Sequence, residues 1–381
     1  MKNKNFLFAI SVLMGTMVGA GIFGIPYVIV GSGVIPGFFY LLILGGAVLL
    51  LHLFFGEIVL RTKEKHHLPG FAQKYLGEKG KILVTVSTIL GTTGALLAYT
   101  IIGGDFLKIL FSPFLNLSNF YFSLIFWAIL SYFIFRGIKL IAPTELLMNI
   151  AFFSIIFLII SFLLPKINIQ NFSLINIENI FLPYGVILFS LIGWPAIPVI
   201  GEILKSSEER KNFKKVIISA VLIVVVLYSI FAFTVIGVSG KDTTTKALQG
   251  LLPFLGQKVI ILGALFGILV IATSFLILGN YLKNTLFYDY KIPRWISASF
   301  ACGIPLILFL IGLRSFIGII GFVGTLIGSV EGIVIILIFK NIKKLGDRKP
   351  EYSLKVPSFL LYFVTAIFIL GAISQIYYFI R

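Results

Sequence analysis

The chain has 381 residues, 59% of them hydrophobic and 12% charged, where an ordinary soluble domain carries roughly 25% charged residues. So few polar groups cannot cover a water-facing surface, which excludes a soluble enzyme or binding module and makes a bilayer the solvent for most of the chain. The net charge of +17 does not argue for nucleic acid, because Lys and Arg fall between hydrophobic runs, and the single cysteine, Cys302, excludes an internal disulfide.

A membrane span needs ~20 apolar residues, and eleven runs qualify. Span 1 is expected over 6–31. Met1-Lys2-Asn3-Lys4 resembles the n-region of a signal peptide, but the apolar run after it is too long for such a segment and lacks an A-x-A site. Within this span, Gly15-Thr16-Met17-Val18-Gly19-Ala20-Gly21-Ile22-Phe23-Gly24-Ile25-Pro26 puts four glycines and a proline into twelve residues. Each interior glycine costs about 1 kcal/mol relative to alanine, so the helix is expected to break near mid-membrane. Unwound backbone there must line a cavity or be buried in protein. It offers free amides to a carboxylate and free carbonyls to an ammonium. The pairs Gly15/Gly19 and Ala20/Gly24 also suit close helix packing.

Spans 2 and 3 are expected over 34–60 and 81–110. Between them, Leu68, Phe71, Ala72, Tyr75 and Leu76 share one helical face, the pattern of a short interfacial helix. His66 and His67 in that segment do not make a ligand set with His52. Spans 4 and 5 follow over 120–136 and 139–164. Span 6, over 181–204, contains Phe189-Ser190-Leu191-Ile192-Gly193-Trp194-Pro195-Ala196-Ile197-Pro198, a second interruption of an apolar run. Span 7 covers 213–238, and the segment 241–256 is expected to hold a short helix. Span 8, over 257–285, carries adjacent hydroxyls at Thr273 and Ser274. These suit a small cation, or a bond back to the preceding turn. Spans 9, 10 and 11 are expected over 293–312, 315–340 and 357–380. Glu331 in span 10 is the deepest acid. A carboxylate at that depth is costly unless paired or neutral, which makes Glu331 a candidate gate or proton-carrying residue. Glu57, near the end of span 2, is the other.

Most of the 31 Lys and Arg fall on one side of this alternation. The positive-inside rule then places the N-terminus in the cytoplasm and the C-terminus outside, in a cell membrane. Residues 6–164 and 181–340 are blocks of five spans with opposite topology, the signature of an inverted repeat, and 357–380 is left over. Interruptions at matching positions of two inverted halves point to a transporter site at their interface. A site of backbone ends and apolar walls suits a zwitterion. No Walker sequence supplies ATP. No cluster of catalytic side chains supports an intramembrane enzyme, and no charged rings support a channel.

At these residues the chain resembles the amino acid–polyamine–organocation superfamily, closest to its hydroxy/aromatic amino acid permease and amino acid/auxin permease branches. Met14 to Pro26 looks like the signature first helix, Glu57 like an acidic residue of that branch, Phe71 to Gly77 like its first inside loop, and Thr273-Ser274-Phe275-Leu276 like its span 8. The resemblance implies an all-α LeuT-like fold with a 5+5 inverted repeat plus an eleventh helix, forming one transporter domain. It implies alternating access, with spans 1, 2, 6 and 7 rocking against spans 3, 4, 8 and 9. It implies a small-molecule amino acid substrate within membrane lipid, and Na+ or H+ as the coupling ion. The implied substrate residues are Met17, Ala20, Gly21, Ile22, Thr93, Tyr99, Phe189, Ser190, Ile192 and Gly193. The implied cation residues are Gly15, Val18, Val270, Thr273 and Ser274. Pro195 departs from the pattern, since many relatives carry Glu there, and span 5 lacks the mid-membrane Lys of some proton-coupled relatives. The expected activity is symport of a neutral, aromatic or branched aliphatic amino acid, with exchange without ion coupling as the alternative.

Overall fold

The computed structural model describes residues 2–137 and 142–380. Among these residues there are helices and turns and no strand. Span 1 is two helices, Lys2–Met17 and Gly21–Ser32, bent by 52°. Span 2 is Val34–Arg61, span 3 is Leu68–Phe111 with a turn at Gly77, and span 4 is Asn119–Arg136. Span 5 is Ala142–Leu163; its expected start at 139 lies outside the described residues. Span 6 is again divided, into Leu182–Leu191 and Ile197–Ile203, with a 3-10 turn at Trp194–Ala196. Span 7 is Phe213–Ser239, span 8 is Leu252–Tyr290 and span 9 is Arg294–Leu310. Span 10 runs from Phe316–Phe322 through a π-turn at Val323–Ile327 into Gly328–Leu345, and span 11 is Ser358–Ile380. Every expected apolar run is a helix, and both expected interruptions are breaks.

The outer surface is that of a membrane protein. Phe39, Leu42, Ile125, Phe157 and Leu370 are exposed on the flanks of their helices, which only a hydrocarbon solvent leaves without cost. Spans 3 and 8 pack along each other at the centre, with span 10 against span 3.

The 68–76 segment is a helix, as expected, but its apolar face meets protein rather than the lipid interface. Leu68, Phe71, Ala72 and Tyr75 are buried. The Phe71 ring sits edge-on to Phe55 at 5.4 Å, and the Tyr75 hydroxyl pairs with Thr62 at 2.7 Å. A left-handed residue at Gly77 (φ +79°) turns the chain from this helix into the membrane stretch of span 3. The segment 241–256 holds a 3-10 turn at Gly240–Asp242 and, as expected, a short helical piece. The 3-10 turn at Leu248–Leu251 runs on into the first residues of Leu252–Tyr290, and Gly256 (φ +72°) turns the chain from there into the membrane stretch of span 8. Lys246 from this segment forms an ion pair with Asp105 of span 3.

On the face that carries the N-terminus, a strap formed by residues 346–354 crosses the ends of spans 2 and 3. Asp347 pairs with Lys74 at 2.5 Å. That hydrogen bond holds the Asp347 carboxyl below the ordinary aspartate range, so the pair stays ionised at neutral pH.

Candidate functional site

Three backbone hydrogen bonds border the break of span 1, and none of them joins the two helices. They run from Val18 N–H to Met14 O (2.7 Å), Gly19 N–H to Met17 O (3.0 Å) and Phe23 N–H to Ala20 O (3.2 Å). The amides of Gly21 and Ile22, at the first turn of a new helix, have no carbonyl one turn back within it. Two helix ends therefore face each other: carbonyls of Lys2–Met17 and amides of Gly21–Ser32. Gly21 packs directly on span 6. A Cβ added there would stand 2.1 Å from Ser190 Oγ and 2.9 Å from Ser190 Cα. Glycine is what allows the two breaks to meet.

Tyr228 of span 7 joins them further. Its buried hydroxyl lies 2.9 Å from Met17 O and 3.1 Å from Ser190 O, so its single proton is shared between one carbonyl from each broken span. Nothing in the local sequence marks Tyr228, because its partners lie 211 and 38 residues away. Removing the hydroxyl leaves buried acceptors short of a donor, at a cost of ~1–2 kcal/mol. Tyr228→Phe is expected to slow uptake about tenfold at unchanged membrane expression, measured as initial rates against protein amount.

The break of span 6 is held from two sides. Gly193 N–H donates to Nε2 of His52 in span 2 at 3.1 Å. An acceptor Nε2 fixes the neutral imidazole with its proton on Nδ1. On the other side, the Trp194 indole N–H donates to Glu331 Oε2 at 2.6 Å, and the Thr88 hydroxyl of span 3 donates to Glu331 Oε1 at 2.9 Å.

These elements enclose a cavity of about 60 Å³. Of the residues expected at a substrate site, Met17, Gly21, Tyr99, Phe189 and Ile192 line it. Ala20, Ile22, Thr93, Ser190 and Gly193 are not on its wall. Thr93 is buried, but its neighbour Thr92 faces the cavity, a rotation of one residue around the helix. The Ser190 hydroxyl is bonded to Val186 O at 2.7 Å, back along its own helix. The Gly193 amide is turned to His52 instead. The Met17 carbonyl already accepts Gly19 N–H and the Tyr228 hydroxyl, which fills both its lone pairs. Thr88, Thr92, Tyr281, Val323 and Ile327 also line the wall and were not anticipated.

Of the residues expected at a cation site, Ser274 of span 8 and Gly15 of span 1 approach each other, while Thr273 bonds back along its own helix. Ser274 Oγ lies 3.4 Å from Gly15 O, and Thr273 Oγ1 lies 2.8 Å from Val270 O. Val18 is fully buried at the same bend. A Cβ on Gly19 would lie 2.9 Å from the Tyr99 hydroxyl and 3.4 Å from Ser274 Oγ, so the oxygen cluster adjoins the cavity wall. Glu331 lies on the cavity; Glu57 does not. Glu57 is buried at the end of span 2, paired with Arg61 at 2.8 Å and accepting from Leu354 N–H at 2.6 Å and Ser353 Oγ at 3.1 Å.

This geometry has known relatives. The fold matches the crystal structure of MhsT in complex with L-phenylalanine at a TM-score of 0.70, covering 98% of both chains at 15% sequence identity. Glutamine transporter 2 of Aliivibrio fischeri is 23% identical over 283 residues, covering 72% of each chain. Tyrosine-specific transport system 1 of Haemophilus influenzae is 25% identical over 278 residues, covering 70% of this chain and 68% of that one. The sequence model of the tryptophan/tyrosine permease family matches residues 2–375. With two divided spans facing one cavity and a family match along nearly its whole length, the chain is a multi-pass membrane protein of the LeuT fold that belongs to the tryptophan/tyrosine permease family of amino acid transporters.

Proposed function

We propose that the chain carries out cation-coupled symport of a neutral, aromatic or branched aliphatic amino acid by alternating access. The observation that carries this reading is the convergence of two mid-membrane breaks on one cavity walled by Tyr99, Phe189, Ile192, Tyr281 and Val323. Helix-start amides at Ala20, Gly21 and Ile22 receive the substrate carboxylate. Carbonyls at the ends of the first half-helices receive the ammonium, with those of Phe189 and Ile192 better placed than the doubly bonded carbonyl of Met17. The aromatic wall supports an aromatic side chain, the class named for two relatives, phenylalanine with MhsT and tyrosine with the Haemophilus influenzae transporter.

Gly15, Val18, Val270, Thr273 and Ser274 form the candidate Na+ position. Its carbonyl and hydroxyl oxygens are hard donors suited to a small cation. Residues 6–164 and 181–340 serve as the two inverted halves, with the N-terminus in the cytoplasm and the C-terminus outside, which the clustering of Lys and Arg supports.

Uptake of labelled amino acids into proteoliposomes, under separate sodium and proton gradients, tests this. Saturable uptake of L-tyrosine or L-phenylalanine, accelerated by one gradient, is the expected result. No saturable uptake of any neutral amino acid overturns the reading, and counterflow indifferent to either gradient makes the chain an exchanger. Thr273→Ala combined with Ser274→Ala is expected to abolish the sodium-stimulated fraction of uptake. Wild-type sodium stimulation in that double variant removes the cation position.

A further inference from the structure

Glu331 is the one acidic residue on the cavity wall, and it sits where two parts of the fold meet. Its carboxylate takes Trp194 from the break of span 6 on one oxygen and Thr88 of span 3 on the other. Spans 3 and 6 belong to opposite groups of the rocking motion that the family resemblance implies for the alternating access proposed above, and the inference rests on that reading. Any relative movement of the two must strain or release one of these bonds.

The two donors are not equivalent. A hydroxyl can donate or accept, so Thr88 can reverse its bond; an indole N–H can only donate. A proton arriving from water would settle on Oε1, where Thr88 turns to accept it. Oε2 would keep the Trp194 N–H, but as a neutral carbonyl rather than a charged oxygen. Charge-assisted hydrogen bonds are roughly twice as strong as neutral ones, so the proton weakens the tie to span 6 while Trp194 keeps its acceptor.

The surroundings favour such a role. Among the described residues, the cavity wall carries no Lys, Arg, Asp or second Glu to neutralise an ionised Glu331. The other titratable groups facing this space are the Tyr99 and Tyr281 phenols. From span 2, His52 lies behind Trp194, with ring centroids 6.1 Å apart, and span 11 presents the Phe368 ring beside Gly332. Thr88 lies ~16 Å along span 3 from Tyr99, toward the N-terminal face. The carboxylate therefore stands at the end of the cavity remote from Tyr99, between the amino acid position and that face.

We propose that Glu331 is the proton-binding group of the transport cycle, and that its charge sets how firmly the span 6 break is tied to span 3 through Trp194. The coupling ion then includes a proton, whether or not sodium travels with it.

Trp194 allows a test that needs no substrate. In the full-length chain carrying Trp127→Phe and Trp295→Phe, Trp194 is the sole indole. Its emission, followed from acid to alkaline pH in detergent, is expected to shift in one titration step, and the same chain with Glu331→Gln is expected to be flat. No step in the parent, or a step that survives Glu331→Gln and so belongs to His52, overturns the proposal.

The second measurement is L-tyrosine uptake into proteoliposomes with and without an inward proton gradient, read as a ratio so that the absolute rate of the variant does not matter. One proton per substrate allows about tenfold accumulation for one pH unit. The wild-type ratio is expected to approach this, and the Glu331→Gln ratio to fall to about one. Gln offers the same shape, with an amide N–H for Thr88 and an oxygen for Trp194, and so stands in for the protonated acid. An undiminished ratio in Glu331→Gln overturns the assignment, as does a large rise in the L-tyrosine KM at an unchanged ratio, which would make Glu331 a substrate ligand. If no amino acid is taken up but Trp194 emission titrates through Glu331, the symport reading fails while the proton site stands.

Discussion

Gly21→Ala is expected to abolish amino acid uptake while the protein still inserts and purifies as a single species. The added Cβ would lie 2.1 Å from Ser190 Oγ and 2.9 Å from Ser190 Cα. The Oγ could move by a rotamer change, but the Cα belongs to the backbone of span 6. The two breaks must therefore separate, and the amides of residues 20–22 shift away from the carbonyls opposite. Overpacking of this kind costs about 3 kcal/mol, which corresponds to about a hundredfold in affinity. Binding of L-tyrosine or L-phenylalanine by calorimetry on the purified variant measures it. Adding Ser190→Gly removes the nearest two atoms and leaves only the clash with the span 6 backbone, so the double variant should recover part of the lost affinity. Wild-type binding by Gly21→Ala would mean that the breaks do not form the amino acid position.

Gly324→Ala should act on stability first. A Cβ at Gly324 would stand 1.8 Å from Gly185 O and 2.7 Å from Phe189 N, and one at Gly185 would stand 2.2 Å from Gly321 O. The π-turn of span 10 and the first half of span 6 thus touch backbone to backbone. No side chain can give way where they meet. A loss of about 3 kcal/mol or more is expected, seen as a lower thermal midpoint by size-exclusion in detergent. Phe189, on the cavity wall, moves with this junction, so surviving protein should also bind amino acids poorly. An unchanged midpoint would contradict this packing.

Much of this fold is legible in the sequence because a membrane imposes simple demands. Apolar runs of sufficient length had to be helices, and clustered glycine and proline in spans 1 and 6 had to interrupt them. Rotation about a helix is harder to read. Thr93 was expected at the cavity and Thr92 is there; two adjacent hydroxyls leave the choice open locally, and only the helical spacing of Thr88, Thr92 and Tyr99 marks the inward face. Ser190 was expected as a ligand, but its hydroxyl serves Val186 of its own helix. The 68–76 segment had the right amphipathic face, yet a sequence does not say whether lipid or protein covers it. The interactions that hold the span 6 break are the least legible. His52 lies 141 residues from Gly193, and Glu331 lies 137 residues from Trp194. A lone histidine in an apolar run gives no sign of the amide it will meet.

Glu57 ended up far from the cavity, and its partners give span 11 a mechanical character. By holding Ser353 and Leu354, and with Tyr352 donating to Leu53 O at 2.6 Å, span 2 stitches down the lead-in to the last helix. Further along, the Tyr184 hydroxyl of span 6 donates to Ile367 O of that same helix at 3.1 Å. The eleventh helix is therefore an outrigger, lashed through its lead-in to span 2 and directly to span 6 while it lies along span 10. Under the proposed alternating access, a tilt of spans 2 and 6 would pull on both lashings, and the stroke would reach the surrounding lipid along this flank.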